Sequence, residues 1–170
     1  VIESIRAVYE RFGFLPIDTP AAEGREVLLG TGGEETNKEI FQFESPEGDP
    51  IALRFDLTVP FARLIAQYRQ QIKLPFRRYH LGTVWRADKP GPGRFRQFTQ
   101  FDIDIAGADS IAADAEVIAA MCAAMRALGL SRLAGPDGEL TQGFQVRVSD
   151  RRLVDALLEG NGITEPARSK

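Results

Sequence analysis

The segment RFRQFTQFDID, from Arg94 to Asp104, alternates two kinds of residue in the manner of a β-strand. Side chains at successive positions of a strand point to opposite faces. The odd positions form a set typical of a half-buried face. The even positions carry two arginines, an aromatic ring, an amide and two carboxylates: Arg94, Arg96, Phe98, Gln100, Asp102 and Asp104. One face of a single strand is therefore predicted to hold a row of polar and charged groups around one ring.

A second strand and a turn-forming linker place this row in a hairpin. Arg77–Arg86 precedes it, and the intervening Ala87–Gly93 is rich in proline and glycine. A further hairpin is predicted from Ile40–Glu44 and Ile51–Asp56. The remaining predicted elements are helices at Ile2–Phe12, Thr58–Gln70 and Ile111–Leu128, strands at Phe14–Thr19 and Phe144–Val148, a loop or hairpin at Ser131–Gly143, and a last helix capped by Asp150. Hairpins followed by separate helices favour an antiparallel α+β fold over a doubly wound parallel one.

Composition indicates one globular domain with a substantial core. The 170 residues are 44% hydrophobic and 26% charged, with no apolar run long enough to cross a membrane and no signal peptide. The single cysteine, Cys122, cannot form an internal disulfide and is interpreted as a buried structural thiol, which suits a reducing, cytoplasmic compartment. The chain starts at Val1, already inside a helical pattern, which suggests a piece of a longer protein.

The net charge of −3 conceals a strongly basic stretch. Residues 66–100 contain eight lysines and arginines and one acid, Asp88, for a local charge of +7 that leaves −10 for the rest of the chain. A basic strip inside an acidic protein indicates a local polyanion site, in contrast to general affinity for nucleic acid. A solvated basic surface is the alternative interpretation.

Several common catalytic sites do not fit this sequence. One cysteine and one histidine are too few for a zinc site, so His80 is interpreted as a structural strand residue and no metal site is predicted. No nucleophile-elbow sequence supports a serine hydrolase. Thr31-Gly32-Gly33 lacks the lysine that ends a phosphate-binding loop and is interpreted as a turn.

The paired strands instead predict a sheet face of mixed charge. Arg78, His80 and Arg86 would share a face with the even row, and Arg54 and Asp56 have the same parity in the preceding hairpin. Guanidinium groups suit phosphate oxygens, carboxylates suit an ammonium or an imidazole N–H, and an aromatic ring offers a surface for stacking. ATP beside an amino acid would match this set. A cross-strand ladder of ion pairs on a solvated face is the alternative.

Four ordered segments resemble the class II aminoacyl-tRNA synthetases in their histidyl form. WRADKPGPGRFRQFTQFDIDIAG (Trp85–Gly107) resembles motif 2, and VYERFGFLPIDTP (Val8–Pro20) resembles motif 1. LRFDLTVPFAR (Leu53–Arg63) is similar to the first histidine-binding segment of histidyl-tRNA synthetases. VRVSDRR (Val146–Arg152) resembles the strand-to-helix step seen in the archaeal and eukaryotic-like branch of that family. The resemblance covers nearly the whole chain.

This resemblance implies a fold and a reaction. The fold is an antiparallel sheet flanked by helices, and the protein is a homodimer joined through motif 1. The reaction is the ATP-dependent activation of histidine to histidyl-adenylate, with Mg²⁺ bridging the ATP phosphates, followed by transfer of the histidyl group to histidine tRNA. The implied setting is the cytoplasm, without a membrane partner.

Roles for individual residues follow from the same resemblance. Arg86 would bind the α-phosphate and act as the electrostatic catalyst. The ATP-binding residues would be Arg86, Asp88, Arg94 and Phe98, with Phe98 stacked on adenine. The histidine-binding residues would be Asp56, Leu57, Thr58, Arg86, Gln100 and Asp104, with Asp104 accepting from the imidazole.

The family pattern also extends beyond what these residues contain. Residues 1–170 are expected to form a partial catalytic domain with motifs 1 and 2 and without motif 3 or an anticodon-binding domain, so this fragment alone is expected to be inactive. The loop Gly91-Pro92-Gly93 has no side-chain donor for reading tRNA bases, whereas Lys89 would contact phosphate. Two alternatives remain: a non-catalytic regulatory subunit of ATP phosphoribosyltransferase, and a synthetase-like regulatory domain of a kinase.

Overall fold

A computed structural model of the chain describes residues 1–29, 39–134 and 139–163, which belong to two compact units, Val1–Gly129 and Leu130–Lys170. The turn predicted at Thr31–Gly33 lies outside the described residues. The helices are α1 (Ile2–Arg11), α2 (Arg25–Leu28), α3 (Thr58–Gln67), α4 (Ala112–Ala127) and α5 (Arg151–Gly160). The strands are β1 (Leu15–Pro16), β2 (Ala22–Gly24), β3 (Gln42–Glu44), β4 (Pro50–Leu53), β5 (Phe76–Trp85), β6 (Gln97–Ala106), β7 (Arg132–Ala134) and β8 (Leu140–Gln142).

The first unit is built on the antiparallel pair β5–β6. Its register places Arg78 opposite Asp104, Gly82 opposite Gln100, and Val84 opposite Phe98. The short strand β1 joins the other edge of β5 in parallel, which gives the order β1-β5-β6. Because strand side chains alternate, the even positions of both long strands share one face and the odd positions share the other.

The odd face of this sheet packs against two helices. Tyr79, Phe101 and Ile103 contact a core built from α1 and α4, in which Val8 is 1% exposed and Ala120 fully buried. Alanines on α4 allow the helix to lie close to the sheet, and the Tyr9 and Phe101 rings meet edge to face at 5.2 Å. The even face is therefore not covered by α1 and α4, and it can contact other parts of the chain or a ligand.

A second three-stranded antiparallel sheet, ordered β2-β4-β3, precedes α3. Leu28, Ile40 and Ala52 form its small core. Its end is fastened to β5 by the buried Arg54, whose Nε donates to the Thr83 carbonyl at 2.9 Å. The segment between β4 and α3 is thus held beside the even face of the long strands.

The second unit contains the β7–β8 hairpin and α5. Asp150 caps α5 as predicted, because its Oδ1 accepts from the Arg152 backbone N–H at 2.9 Å. The predicted strand at Phe144–Val148 is wrong: these residues have no regular secondary structure. A strand needs a neighbouring ladder, and in the described part of this unit β7 and β8 pair with each other.

Four of the predicted strands are shorter than expected. The hairpin predicted from Ile40–Glu44 and Ile51–Asp56 consists of β3 and β4, which end at Glu44 and Leu53, so Arg54 and Asp56 follow β4 instead of alternating along it. The segment predicted at Phe14–Thr19 is a strand only at Leu15–Pro16. The long strand begins at Gln97, so Arg94 and Arg96 precede it; a tight turn, marked by a bridge between Gly91 and Arg94, occupies that part of the chain. The antiparallel α+β class is confirmed, with β1–β5 as a parallel exception.

We predict that Phe14→Ala destabilises the chain by about 3–5 kcal/mol, because it leaves a cavity among Tyr9 and its neighbours. Phe14 is 1% exposed, whereas the adjacent Leu15 is 55% exposed. Leu15→Ala is therefore the matched control and should cost less than about 1 kcal/mol. Equilibrium denaturation by urea measures both; equal losses would show that Phe14 is not part of the core.

Candidate active site

Arg86 lies at the end of β5, where the even face meets the segment that follows β4. Its Nε donates to the Phe55 carbonyl at 3.0 Å, and its guanidinium carbon lies 5.2 Å from the centre of the Phe98 ring. One donor of the guanidinium is thus used to fix its orientation. The planar cation is held against an aromatic ring, and its other donors remain for a ligand.

A cavity of about 400 Å³ opens beside this pair, and we call it the Arg86 cavity. Its lining residues are Arg86, Asp88, Gly93, Arg94, Phe95 and Phe98. Inside it, Arg94 Nε donates to Asp88 Oδ2 at 2.9 Å, and this hydrogen bond lowers the pKa of the Asp88 carboxyl. Arg94 remains exposed, so its guanidinium is anchored at one edge and open at the other. The cavity combines two cations with aromatic surface, which suits an anionic ligand that carries a flat ring.

A second polar group lies farther along the even face, around Arg78. This arginine is fully buried and forms an ion pair with Asp104 on the opposite strand. Its Nη2 also donates to the Leu57 carbonyl at 3.0 Å, and its guanidinium carbon lies 4.9 Å from the Phe61 ring centre. Strands β5 and β6 and the start of α3 therefore meet at one guanidinium.

Asp56, Leu57 and Thr58, at the start of α3, differ in burial and in hydrogen bonding. Asp56 Oδ1 accepts from the Val59 backbone N–H at 3.1 Å, so this carboxylate caps the helix. Leu57 is fully buried, and Thr58 is exposed. Burial raises the pKa of Asp56, although its hydrogen bond to Val59 acts in the opposite direction.

Two further carboxylates on β6 share this environment. Burial raises the pKa of both Asp102 and Asp104, and Arg78 opposes that rise. Within the described ranges, no hydrogen-bond or ion-pair partner of the Asp102 carboxylate is found, although Arg78 and Arg86 act on it electrostatically. Asp56, Asp102 and Asp104 thus place three acids near two arginines, which favours a ligand that brings positive charge.

Gln100 lies between the two groups, opposite Gly82. Its Oε1 is buried, and no partner for it is present in the described part of the chain. A Cβ at position 82 would approach Arg54 Nη2 to 2.7 Å and His80 Nε2 to 2.9 Å, so there is room only for glycine beside those two side chains. An unpaired buried amide oxygen is costly unless a ligand or water satisfies it.

A cavity of about 390 Å³ reaches the acidic residues along the outer side of β6. It is bordered by Thr58, Asp102 and Asp104 from the even face, and by Ile5 and Met121, among others, from the helix side. The predicted site residues therefore fall in two neighbouring places: Arg86, Asp88, Arg94 and Phe98 at the Arg86 cavity, and Asp56, Leu57, Thr58 and Asp104 around Arg78.

His80 has a structural role, as the sequence indicated. It is 1% exposed and its Nε2 lies 2.9 Å from Asp18 Oδ1, while burial lowers the pKa of its ring. No group of three or more His, Cys, Asp or Glu residues in the described ranges could hold a metal ion. No helix in those ranges is both long and apolar enough to span a bilayer.

Sequence reasoning missed three residues of this arrangement as site residues. Arg78 and Asp102 are at even positions, so the alternation of the strands places them on the correct face. Alternation does not show which arginine is buried or which carboxylate has no partner. Phe95 lines the Arg86 cavity although it is an odd position, because it precedes β6 and the alternation of the strand does not apply to it.

Comparison with known structures defines the class of protein. The chain superimposes with a TM-score of 0.76 on the crystal structure of histidyl-tRNA synthetase from Nostoc sp. PCC 7120, at 33% identity over 97% of this chain and 34% of that one. It also matches a pyrrolysyl-tRNA synthetase from Desulfitobacterium hafniense with a TM-score of 0.64 at 17% identity, which concerns the fold alone. The fold is that of the class II aminoacyl-tRNA synthetases.

Sequence comparison specifies the family. The family model described as histidyl-tRNA synthetase matches residues 1–170, and the chain belongs to that family. It is 41% identical to histidine–tRNA ligase of Treponema denticola, over 97% of this chain and 34% of that protein. The ligase of Rhodopirellula baltica is 39% identical, with 97% and 35% covered. The chain thus spans about one third of the length of these relatives.

We predict that Asp102→Asn stabilises the chain at pH 7, because it removes a half-buried carboxylate whose ionised form is disfavoured by burial. The pKa of Asp102 is raised in the folded state, so the cost of ionisation disappears as the pH falls through that raised value. The gain in melting temperature should therefore shrink as the pH is lowered from 7 toward about 4. Asp88→Asn is the control of opposite sign, since Arg94 lowers the pKa of that carboxyl. An equal gain in melting temperature for Asp102→Asn at both pH values would contradict the raised pKa of Asp102.

Proposed function

We propose that this chain is the part of the catalytic domain that carries motifs 1 and 2 of a histidine–tRNA ligase. In the first step, the histidine carboxylate attacks the α-phosphorus of ATP, which forms histidyl-adenylate and releases pyrophosphate. In the second step, a hydroxyl of the terminal ribose of histidine tRNA attacks the activated carbonyl and releases AMP. Motif 3 and the anticodon-binding domain would be supplied by other parts of the protein.

The observation that carries this proposal is the placement of Arg86. It projects into the Arg86 cavity against Phe98 and is oriented through the Phe55 carbonyl. A preorganised cation of this kind stabilises charge as it develops on the α-phosphate, without reorganisation at the moment of attack. Phe98 supplies an aromatic surface for adenine in the same cavity, so one nucleotide would contact both residues.

The other ATP contacts would come from the rim of that cavity. Arg94 would approach the phosphates from its position on Asp88, and Asp88 would lie near the adenine edge. Magnesium would arrive bound to the ATP phosphates, where it neutralises their charge.

Histidine would bind next to the α-phosphate, around the start of α3. Asp56, Thr58 and Gln100 would receive the ammonium, which suits the surplus of carboxylates there and the unpaired Gln100 oxygen. Asp104 would accept from the imidazole with the carboxylate edge that Arg78 leaves free. Leu57 would shape the pocket through its buried side chain, and Arg86 would contact the reacting carboxylate.

Membership of the family supports a proposal for the assembly and the cellular setting of the protein. We place the enzyme in the cytoplasm as a homodimer joined through motif 1, that is, through α1 and β1. Histidine tRNA would approach the loop 87–93, in which Lys89 is exposed.

The regulatory subunit of ATP phosphoribosyltransferase is the second candidate. A crystal structure from Bacillus halodurans, described as an ATP phosphoribosyltransferase regulatory subunit/histidyl-tRNA synthetase, matches with a TM-score of 0.67 and 29% identity over 76% of this chain and 33% of that one. The ligase is favoured because Arg86, Phe98 and Arg94 line a nucleotide-sized cavity, which a module that only senses histidine would not need. A kinase-associated regulatory domain has less support still.

We predict that Arg86→Ala in the intact enzyme abolishes histidine-dependent exchange between ATP and pyrophosphate. Loss of a cation that stabilises transition-state charge costs about 3 kcal/mol or more, which is at least a hundredfold in rate. Arg126→Ala, at an exposed position near the end of α4, is the control and should exchange at the rate of the unmodified enzyme. Exchange by Arg86→Ala within a few-fold of normal would rule out the α-phosphate assignment.

Asp104→Asn should raise the KM for histidine by roughly tenfold to a hundredfold, because a charge-assisted hydrogen bond contributes about 1.5–3 kcal/mol. The KM for ATP should change little, since the nucleotide would contact Arg86, Arg94 and Phe98 at the other end of the face. Each substrate is titrated at saturation of the other. An ATP defect as large as the histidine defect would mean that Asp104 only pairs with Arg78.

A further inference from the structure

We propose that Arg78 is a positioning residue for histidine recognition: it holds Asp104 and the turn at Leu57 in the geometry that the substrate requires. The inference rests on the proposed function. It concerns a residue to which the sequence motifs described above gave no role in binding, and which has no exposed surface of its own.

The geometry of Arg78 connects every element of the histidine site. The side chain arises from β5, pairs with Asp104 on β6, and donates from Nη2 to the Leu57 carbonyl at 3.0 Å. Leu57 lies between Asp56 and Thr58, so this hydrogen bond also fixes both neighbours at the start of α3. The imidazole acceptor and the ammonium-binding turn are therefore set by one guanidinium.

Arginine is the residue type that this position requires. Its planar fork donates in two directions while its face lies 4.9 Å from the Phe61 ring centre. A lysine at the same place would keep the charge, but a single ammonium cannot reproduce the fork or the stacking. The two properties, charge and shape, can therefore be separated by substitution.

Charge matters because Asp104 lies among other acids. Asp56 faces it from the start of α3, Asp102 from the same strand, and Asp114 from α4 across a hollow of about 260 Å³. Arg78 is the cation of the described residues that lowers the pKa of Asp104, against the effect of burial. Removing this cation raises the pKa further, so Asp104 would lose its negative charge at a higher pH.

The test uses the intact enzyme with Arg78→Met and Arg78→Lys, and it follows histidine-dependent exchange as a function of pH at saturating ATP. In Arg78→Met, kcat/KM for histidine should fall about tenfold or more. The acid limb of its pH profile, that is, the fall in kcat/KM as the pH is lowered, should move to higher pH. In Arg78→Lys, the acid limb should stay near that of the unmodified enzyme while the KM for histidine rises. The KM for ATP should change little in both.

Arg77→Met is the matched control. Arg77 is the neighbouring residue on β5, and its Nη2 pairs with Glu116 on α4 at 2.7 Å, on the opposite face of the sheet. Arg77→Met and Arg78→Met each remove one arginine of β5 from an ion pair with a neighbouring element. Arg77→Met should lower the melting temperature without moving the acid limb.

A double substitution completes the test. Because Arg78 acts partly through Asp104, Arg78→Met should cause a smaller histidine defect in an Asp104→Asn background than in the unmodified enzyme, and the remainder reflects loss of the hydrogen bond to the Leu57 carbonyl. Additive defects, or an acid limb in Arg78→Met that coincides with that of the unmodified enzyme, would overturn the inference. Should Arg78→Met fail to fold, Arg78→Lys decides: an unchanged KM for histidine rejects the positioning role. Absence of exchange in the unmodified enzyme would instead reject the proposed function.

Discussion

The antiparallel pairing of β5 with β6 is the constraint on which the rest of the structure depends. Each strand is ten residues long, and their register runs without interruption from Phe76 opposite Ala106 to Trp85 opposite Gln97. A slip of one residue would turn the core side chains outward and the charged ones inward. The register is fixed because the odd face is buried by α1 and α4. Packing on one face thus determines which charges meet on the other.

Three arginines then fasten the segment 54–58 to this pair of strands. Arg54 donates to the Thr83 carbonyl of β5, Arg78 to the Leu57 carbonyl, and Arg86 to the Phe55 carbonyl. The segment has no sheet ladder of its own, so backbone carbonyls that would otherwise be unpaired are satisfied by guanidinium groups. If this segment presents polar groups to a ligand, as we propose, these hydrogen bonds would hold it in the fixed geometry that preorganised binding requires.

Much of this arrangement could be predicted from the sequence, and the limit is physical. Alternation predicts the two long strands and the faces of Phe98 and Asp104, because a period of two depends on local geometry alone. The pairing of Arg78 with Asp104, and of Arg94 with Asp88, depends on side-chain direction and burial, which the sequence does not specify. The helix-capping hydrogen bond of Asp56 was not predicted for the same reason: a carboxylate before a helix can cap it, face a ligand or do both, and here its Oδ1 oxygen caps the helix.

The balance of charge on the even face links stability to function. Asp56, Asp102 and Asp104 lie near Arg78 and Arg86, and burial raises the pKa of all three carboxyl groups. Arg78 and Arg86 offset only part of the cost of burying these carboxylates, so the groups still weaken the folded state, since their ionised forms are poorly solvated. A ligand that carries an ammonium supplies the missing positive charge, so the free energy of ligand binding includes relief of that cost. The same surplus of negative charge disfavours an anion near Asp104, so the phosphates of the proposed nucleotide would bind to the arginines of the Arg86 cavity. On this proposal, the acidic end of the even face would bind a zwitterionic amino acid, and the end at the Arg86 cavity would bind a polyphosphate.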